Sequence, residues 1–83
     1  MKIKLNKQEY LALLGLERLM ITYRDKTEEC LSEMATILEV TDENEGKGKW
    51  GYYGHLSDAE FEDKPIHYAL GRLKIKKPNG IRI

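Results

Sequence analysis

Eighty-three residues and 9.7 kDa allow one domain with a thin core, because a chain this short buries roughly 60% of the surface its unfolded form exposes. Charged residues make up 34% and hydrophobic ones 41%, which excludes low-complexity disorder, and no run approaches the ~20 apolar residues of a membrane-spanning helix. The net charge is zero but unevenly laid out: +3 over residues 1–26, −7 over 27–45, −2 over 46–63 and +6 over 64–83.

In chain order, Met1-Lys2-Ile3-Lys4-Leu5 alternates apolar and basic residues, a strand pattern. It lacks the apolar stretch of a signal peptide, and the single cysteine, Cys30, excludes an internal disulfide or a thiolate zinc cluster. A reducing, cytoplasmic setting is therefore expected. Asn6-Lys7-Gln8-Glu9 reads as a helix start, with an N-cap side chain and a Glu three residues later that reaches back to it. From Gln8 to Val40 there is no proline and only one glycine, Gly15.

Along that stretch apolar or small residues fall at Leu13, Leu16, Met20, Tyr23, Thr27, Cys30, Met34 and Ile37, alternating steps of three and four, with Leu31 and Leu38 widening the stripe. Asp25-Lys26-Thr27-Glu28 is itself a possible capping box that would split the helix into a hairpin. The stripe keeps its phase across residues 24–27, so one helix over about 8–40 is expected. At ~1.5 Å per residue it would span about 50 Å. A second stripe (Tyr10, Leu11, Leu14, Ile21) makes its first half apolar on two sides. The remainder of the chain is too short to cover both stripes. A second copy is therefore expected over the seam residues Leu13 to Leu38 named above, giving a homodimer or higher oligomer.

The acidic burst Thr41–Glu45 and Gly46 end the helix. Residues 46–55 follow as a Gly-rich loop with Lys47, Lys49, Trp50, Tyr52, Tyr53 and His55. It matches G-x-G-x-x-G, but after a helix and not a strand, which argues against a dinucleotide fingerprint. Its structural reading is packing of Trp50 on the helix. Its functional reading is phosphate on the lysines and ring stacking on the aromatics, with Arg72, Lys74 and Lys76 completing a cradle.

A second helix near 64–73 is set by Pro65 in its first turn and by Ile66, Ala69, Leu70 and Leu73 on one face, which suits it to cover the Tyr10/Leu14/Ile21 stripe. The tail from Lys74 alternates around Pro78-Asn79-Gly80 as a hairpin does, with Ile75, Ile81 and Ile83 joining Ile3 and Leu5 on one face. The expected fold is thus a single α+β domain, dominated by helix: the long helix, the Gly/aromatic loop, the short second helix, and a small antiparallel sheet from the two termini.

His55, Ser57 and Asp58 lie close in sequence, but nothing near Ser57 resembles a nucleophile elbow, and capping is the simpler role. The two histidines and nearby acids fit no standard metal spacing, and Cys30 on the seam reads as a buried, inert thiol. No catalytic residues, metal or cofactor are expected. Duplex nucleic acid is disfavoured by the −7 segment, whereas the opposed charge blocks attract one another within the fold or between copies.

The Gln8–Val40 helix followed by the Trp50–Leu73 stretch, in a short Lys/Glu-rich chain, resembles small accessory proteins of bacteriophages. Some of those blunt host immunity by occupying an effector complex or sequestering a signalling nucleotide. The resemblance implies a host protein complex or a small nucleotide as partner, in the host cytoplasm. The leading expectation is a non-enzymatic, homo-oligomeric binding protein that occupies a partner. The alternatives are a nucleotide or phosphate binder using the Gly46–His55 loop, and a structural or assembly protein.

Overall fold

Helix α1 (Lys7–Thr22) begins where the capping pattern places it. The Glu9 amide donates to Asn6 Oδ1 at 2.8 Å and the Asn6 amide donates to Glu9 Oε1 at 2.9 Å, so two otherwise orphaned N–H groups satisfy each other's side chains. The structure is a computed structural model, and it describes residues 2–41 and 51–79.

The helix does not run on to residue 40. It stops at Thr22, Tyr23 turns extended (φ −122°, ψ 90°), and a short 3-10 turn over Arg24–Lys26 leads into α2 (Thr27–Leu38). Ile21, Thr22 and Tyr23 are β-branched or aromatic and weaken the helix locally. The Thr27 hydroxyl then donates to the Arg24 carbonyl at 2.7 Å and fastens the turn. Lys26, at the N-cap of α2, makes no side-chain cap, so the break comes where the second capping box would have put it but without that box. The molecule measures 33 Å along its longest axis, which a 50 Å rod could not fit.

Folding back lets the seam close on itself. Leu13 and Met20 of α1 and Cys30, Leu31, Met34 and Leu38 of α2 lie in one buried core. Glu39 ends α2 in the left-handed region (φ 58°), where its amide reaches the Ala35 and Thr36 carbonyls. Val40–Thr41 (β1) then pairs in parallel with Gly51–Tyr52 (β2), two residues on each side.

Helix α3 (Tyr53–Asp58) and a 3-10 turn at Ala59–Phe61 insert Leu56 and Ala59 into the core. Helix α4 (Pro65–Leu73) follows the expected boundaries closely: Pro65 opens it, and Ile66, Ala69, Leu70 and Leu73 are the buried face. It covers Tyr10, which is buried, and Leu14, which is half-buried against the core, whereas Leu11 and Ile21 of the same expected stripe stay exposed.

The α+β expectation is overturned. The termini form no antiparallel sheet among the described residues, only one parallel bridge between Lys4 and Lys76, made by the Leu5 amide to the Lys76 carbonyl and the Lys76 amide to the Ile3 carbonyl, both 3.0 Å. Both segments run the same way past each other, and alternation still sends Leu5 and Ile75 inward. Ile3, expected inside, is 79% exposed. The hairpin strand with Ile81 and Ile83 lies outside the described residues. With only this bridge and the two-residue β1/β2 pair, the described residues contain no sheet layer, and the fold is helix-dominated.

Candidate functional site

The expected seam is the protein's own interior. Leu13, Met20, Thr27, Cys30, Leu31, Met34 and Leu38 are buried, and Leu16 and Ile37 are half-buried against the same core. Tyr23 alone, at the turn, is left exposed. A hairpin supplies the cover that a second copy was expected to supply, so these residues are not an available interface in the folded chain.

Apart from Ile3 and Phe61, which stand exposed singly, apolar surface remains on the other side of α1. Leu11 is 48% and Leu19 42% exposed, and they flank Gly15 at successive i+4 positions, one ridge on a helix. A Cβ placed on Gly15 would meet nothing within 4 Å, so the ridge has a notch open to a neighbour. Gln8, Ala12, Arg18 and Thr22 are also exposed on this side. Apolar side chains on the solvent side of a surface helix, which ordinarily carries charge, mark a candidate contact face, here edged by the charge of Arg18. The sequence placed Leu11 in a stripe to be covered by α4. The i, i+4, i+8 spacing of Leu11, Gly15 and Leu19 was the signal available for a third face.

Of the expected ligand cradle, Lys47, Lys49 and Trp50 lie outside the described residues. Tyr52 belongs to β2, Tyr53 opens α3, and His55 is half-buried within α3 and makes an interaction there. Arg72, Lys74 and Lys76 are exposed, in the last turn of α4, at its left-handed C-cap (φ 59°) and at the terminal bridge. The bridge sets Lys76 beside Lys4, a pairing of like charges that sequence spacing did not reveal, and neither has an acidic partner among the described residues.

At the opposite pole, a groove of about 880 Å³ is lined by Arg24, Glu28, Glu60, Phe61, Glu62 and Asp63 among others. Arg24 Nη1 donates to the Glu60 carbonyl at 3.3 Å and ties the hairpin turn to the 3-10 turn, and Phe61 stands 82% exposed at the same turn.

Near the N-terminus Lys2 Nζ meets Glu9 Oε2 at 2.8 Å and Glu39 Oε2 at 3.9 Å, joining the start of α1 to the end of α2. The hydrogen bond and charge of Glu9 raise the Lys2 pKa, while the Asn6 amide and then Lys2 hold the Glu9 carboxyl below its usual range. Burial, then the charges of Glu33 and Glu29, push the Cys30 thiol up, which disfavours the reactive thiolate. Ser57 lies within α3, and no group of three or more His, Cys, Asp or Glu among the described residues is placed to hold a metal ion.

These features define a small helical hairpin backed by two shorter helices, with polar groups committed to capping and one helix face unpartnered. No described helix is long and apolar enough to cross a membrane. No protein-family model matches the chain, and no curated protein or solved structure resembles it significantly.

Proposed function

We propose that the chain is a non-enzymatic binding protein that acts by occupying a partner, and that its contact face is the outer side of α1, taken first by a second copy of itself. The observation that carries this reading is the exposed apolar ridge Leu11–Gly15–Leu19 with its open notch. Leu11 and Leu19 lie four positions either side of Gly15, and Gln8 and Thr22 seven. In an antiparallel two-fold crossing at Gly15, Leu11 of one copy faces Leu19 of the other and each Gly15 admits the close approach of the other helix. A 16-residue helix offers about 24 Å of contact, so the interface falls at the small end of specific ones and exchanges readily. In its most specific form, which rests on the compositional resemblance to phage accessory proteins, the same face captures a host defence complex.

Sedimentation across about 1–500 µM tests it, because mass action makes pairing concentration-dependent. A species of twice 9.7 kDa is expected at the upper end, and Leu19→Glu is expected to abolish it without loss of helicity. A lone 9.7 kDa species throughout overturns the proposal, as does a dimer that survives Leu11→Glu and Leu19→Glu together.

A further inference from the structure

A cleft of about 430 Å³, within the size range of small-molecule sites, opens between α1, the entrance of α4 and the tail. Tyr10 and Leu14 reach it from α1, Lys64 and His67 from the entrance of α4, and Lys77 with Pro78 from the tail. Two of these segments, the entrance of α4 and the tail, therefore bring lysines to an apolar and aromatic wall.

Tyr10 is the informative residue. Its side chain is more than nine-tenths buried, at 8% exposure, yet its hydroxyl makes no hydrogen bond among the described residues. No fully buried side-chain oxygen or nitrogen is left without a partner there, so the Tyr10 hydroxyl keeps some access to solvent, and Tyr10 lines this cleft. A buried ring whose accessible hydroxyl has no partner among the described residues, beside a cavity, is suited to a ligand oxygen.

The surrounding groups set the ligand's chemistry. Lys64, His67 and Lys77 are exposed and have no ion-pair partner among the described residues. The α4 entrance adds its positive dipole end and the first-turn His67 amide, which has no acceptor there. Glu17 also borders the cleft. Its Oε2 accepts the Ile66 amide at 2.7 Å, capping α4 from 49 positions away, while its other oxygen is unpartnered among the described residues. A bare anion would meet the cations but also this carboxylate. A molecule that carries both an anion and a hydrogen-bond donor satisfies both.

We infer that this cleft binds a small phosphomonoester bearing hydroxyl groups, of the size of a sugar phosphate or nucleoside monophosphate. The phosphate sits among Lys64, Lys77 and the Tyr10 hydroxyl, a ligand hydroxyl donates to Glu17, and the carbon skeleton lies on Leu14 and Pro78. This site is separate from the α1 ridge and does not depend on the pairing of copies.

Calorimetric titration of the full chain with ribose 5-phosphate, adenosine 5′-monophosphate, inorganic phosphate and adenosine tests it. Both phosphomonoesters are expected to bind, inorganic phosphate about tenfold more weakly for want of the Glu17 contact, and adenosine not at all. Tyr10→Phe keeps the buried ring and removes only the oxygen. It and Lys77→Ala are each expected to weaken binding about tenfold, the loss of one charge-assisted hydrogen bond, with far-UV circular dichroism unchanged. The inference is overturned by any of four results: no heat from either phosphomonoester at about 10 mM, adenosine binding as tightly as its monophosphate, inorganic phosphate matching ribose 5-phosphate, or affinity within about twofold of wild type in both variants.

Discussion

Two leucines on one helix separate the hairpin fold from an extended rod. Leu13 has no exposed surface, whereas Leu11, two residues earlier on the same helix, is 48% exposed. Leu13→Ala removes the same atoms as Leu11→Ala and changes helix propensity by the same small amount, so the difference between the variants reports burial alone. A fully buried Leu→Ala truncation costs about 3–4 kcal/mol, the sum of lost transfer energy and the cavity left behind. An 83-residue domain has roughly 4–12 kcal/mol in all, so Leu13→Ala is expected to lower the thermal midpoint by roughly 15 °C or more. Leu11→Ala is expected to cost less than about 1 kcal/mol when measured at about 1 µM, where pairing of copies contributes nothing. The assay is urea and thermal unfolding followed by circular dichroism. Equal costs for the two variants, within about 0.5 kcal/mol, would refute the folded-back arrangement, because only that arrangement hides one of these leucines inside a single chain.

Two further predictions follow from the titratable groups. The Glu9 carboxyl is held below its usual range in the folded state, so the stability it contributes is present above the ordinary carboxylate pKa and is lost as pH falls through the lowered value. Urea unfolding of wild type and Glu9→Gln is expected to differ at neutral pH and to converge in strong acid; a gap that persists there contradicts the assigned cause. Lys2 has the opposite sign: its raised pKa stabilises below the ordinary lysine range and ceases to do so as pH rises through the raised value. Cys30, 1% exposed and with its thiol pKa pushed up, is expected to react with an aromatic disulfide reagent at least about a thousandfold more slowly in the native protein than in urea. Labelling of the native protein at the rate of a free thiol would show that the α1–α2 core is open.

The elements legible in the sequence were those whose determinants are local. Asn6 and Glu9 define the start of α1 within four residues, and Pro65 with the Ile66/Ala69/Leu70/Leu73 face defines α4 within nine. The hinge was not legible, for a physical reason. Periodicity reports which face of a helix is apolar, and the apolar faces of α1 and α2 pack against each other, so the phase survives the break and gives no sign of it. Only the stiff Ile21-Thr22-Tyr23 run and the hydroxyl of Thr27 mark the place. The termini failed similarly: alternation sends Leu5 and Ile75 inward but misplaces Ile3, and it carries no information on direction, so it did not show that the bridge is parallel. The cleft was out of reach altogether, since Tyr10, Glu17, Lys64 and Lys77 span most of the chain and meet only through the docking of α4.

The inference that α1 needs more than one neighbour outlives the rod from which it was drawn. α2 covers Leu13 and Met20, and α4 covers Tyr10, so the first stripe is closed within the chain and the second only in part, with Leu11 and Ile21 left exposed. The exposed ridge is a third side, and Gly15 lies five residues from Tyr10, about 140° around the helix at 3.6 residues per turn. The two are therefore separated by the body of α1 itself. Substitutions on opposite sides of one helix that share no partner act additively, within about 0.5 kcal/mol. A protein that pairs through Gly15 keeps the Tyr10 cleft accessible in each copy, and one that fills the cleft keeps its ridge free. The two proposed contacts would not compete, because the Leu11–Gly15–Leu19 ridge and Tyr10 lie on different sides of α1.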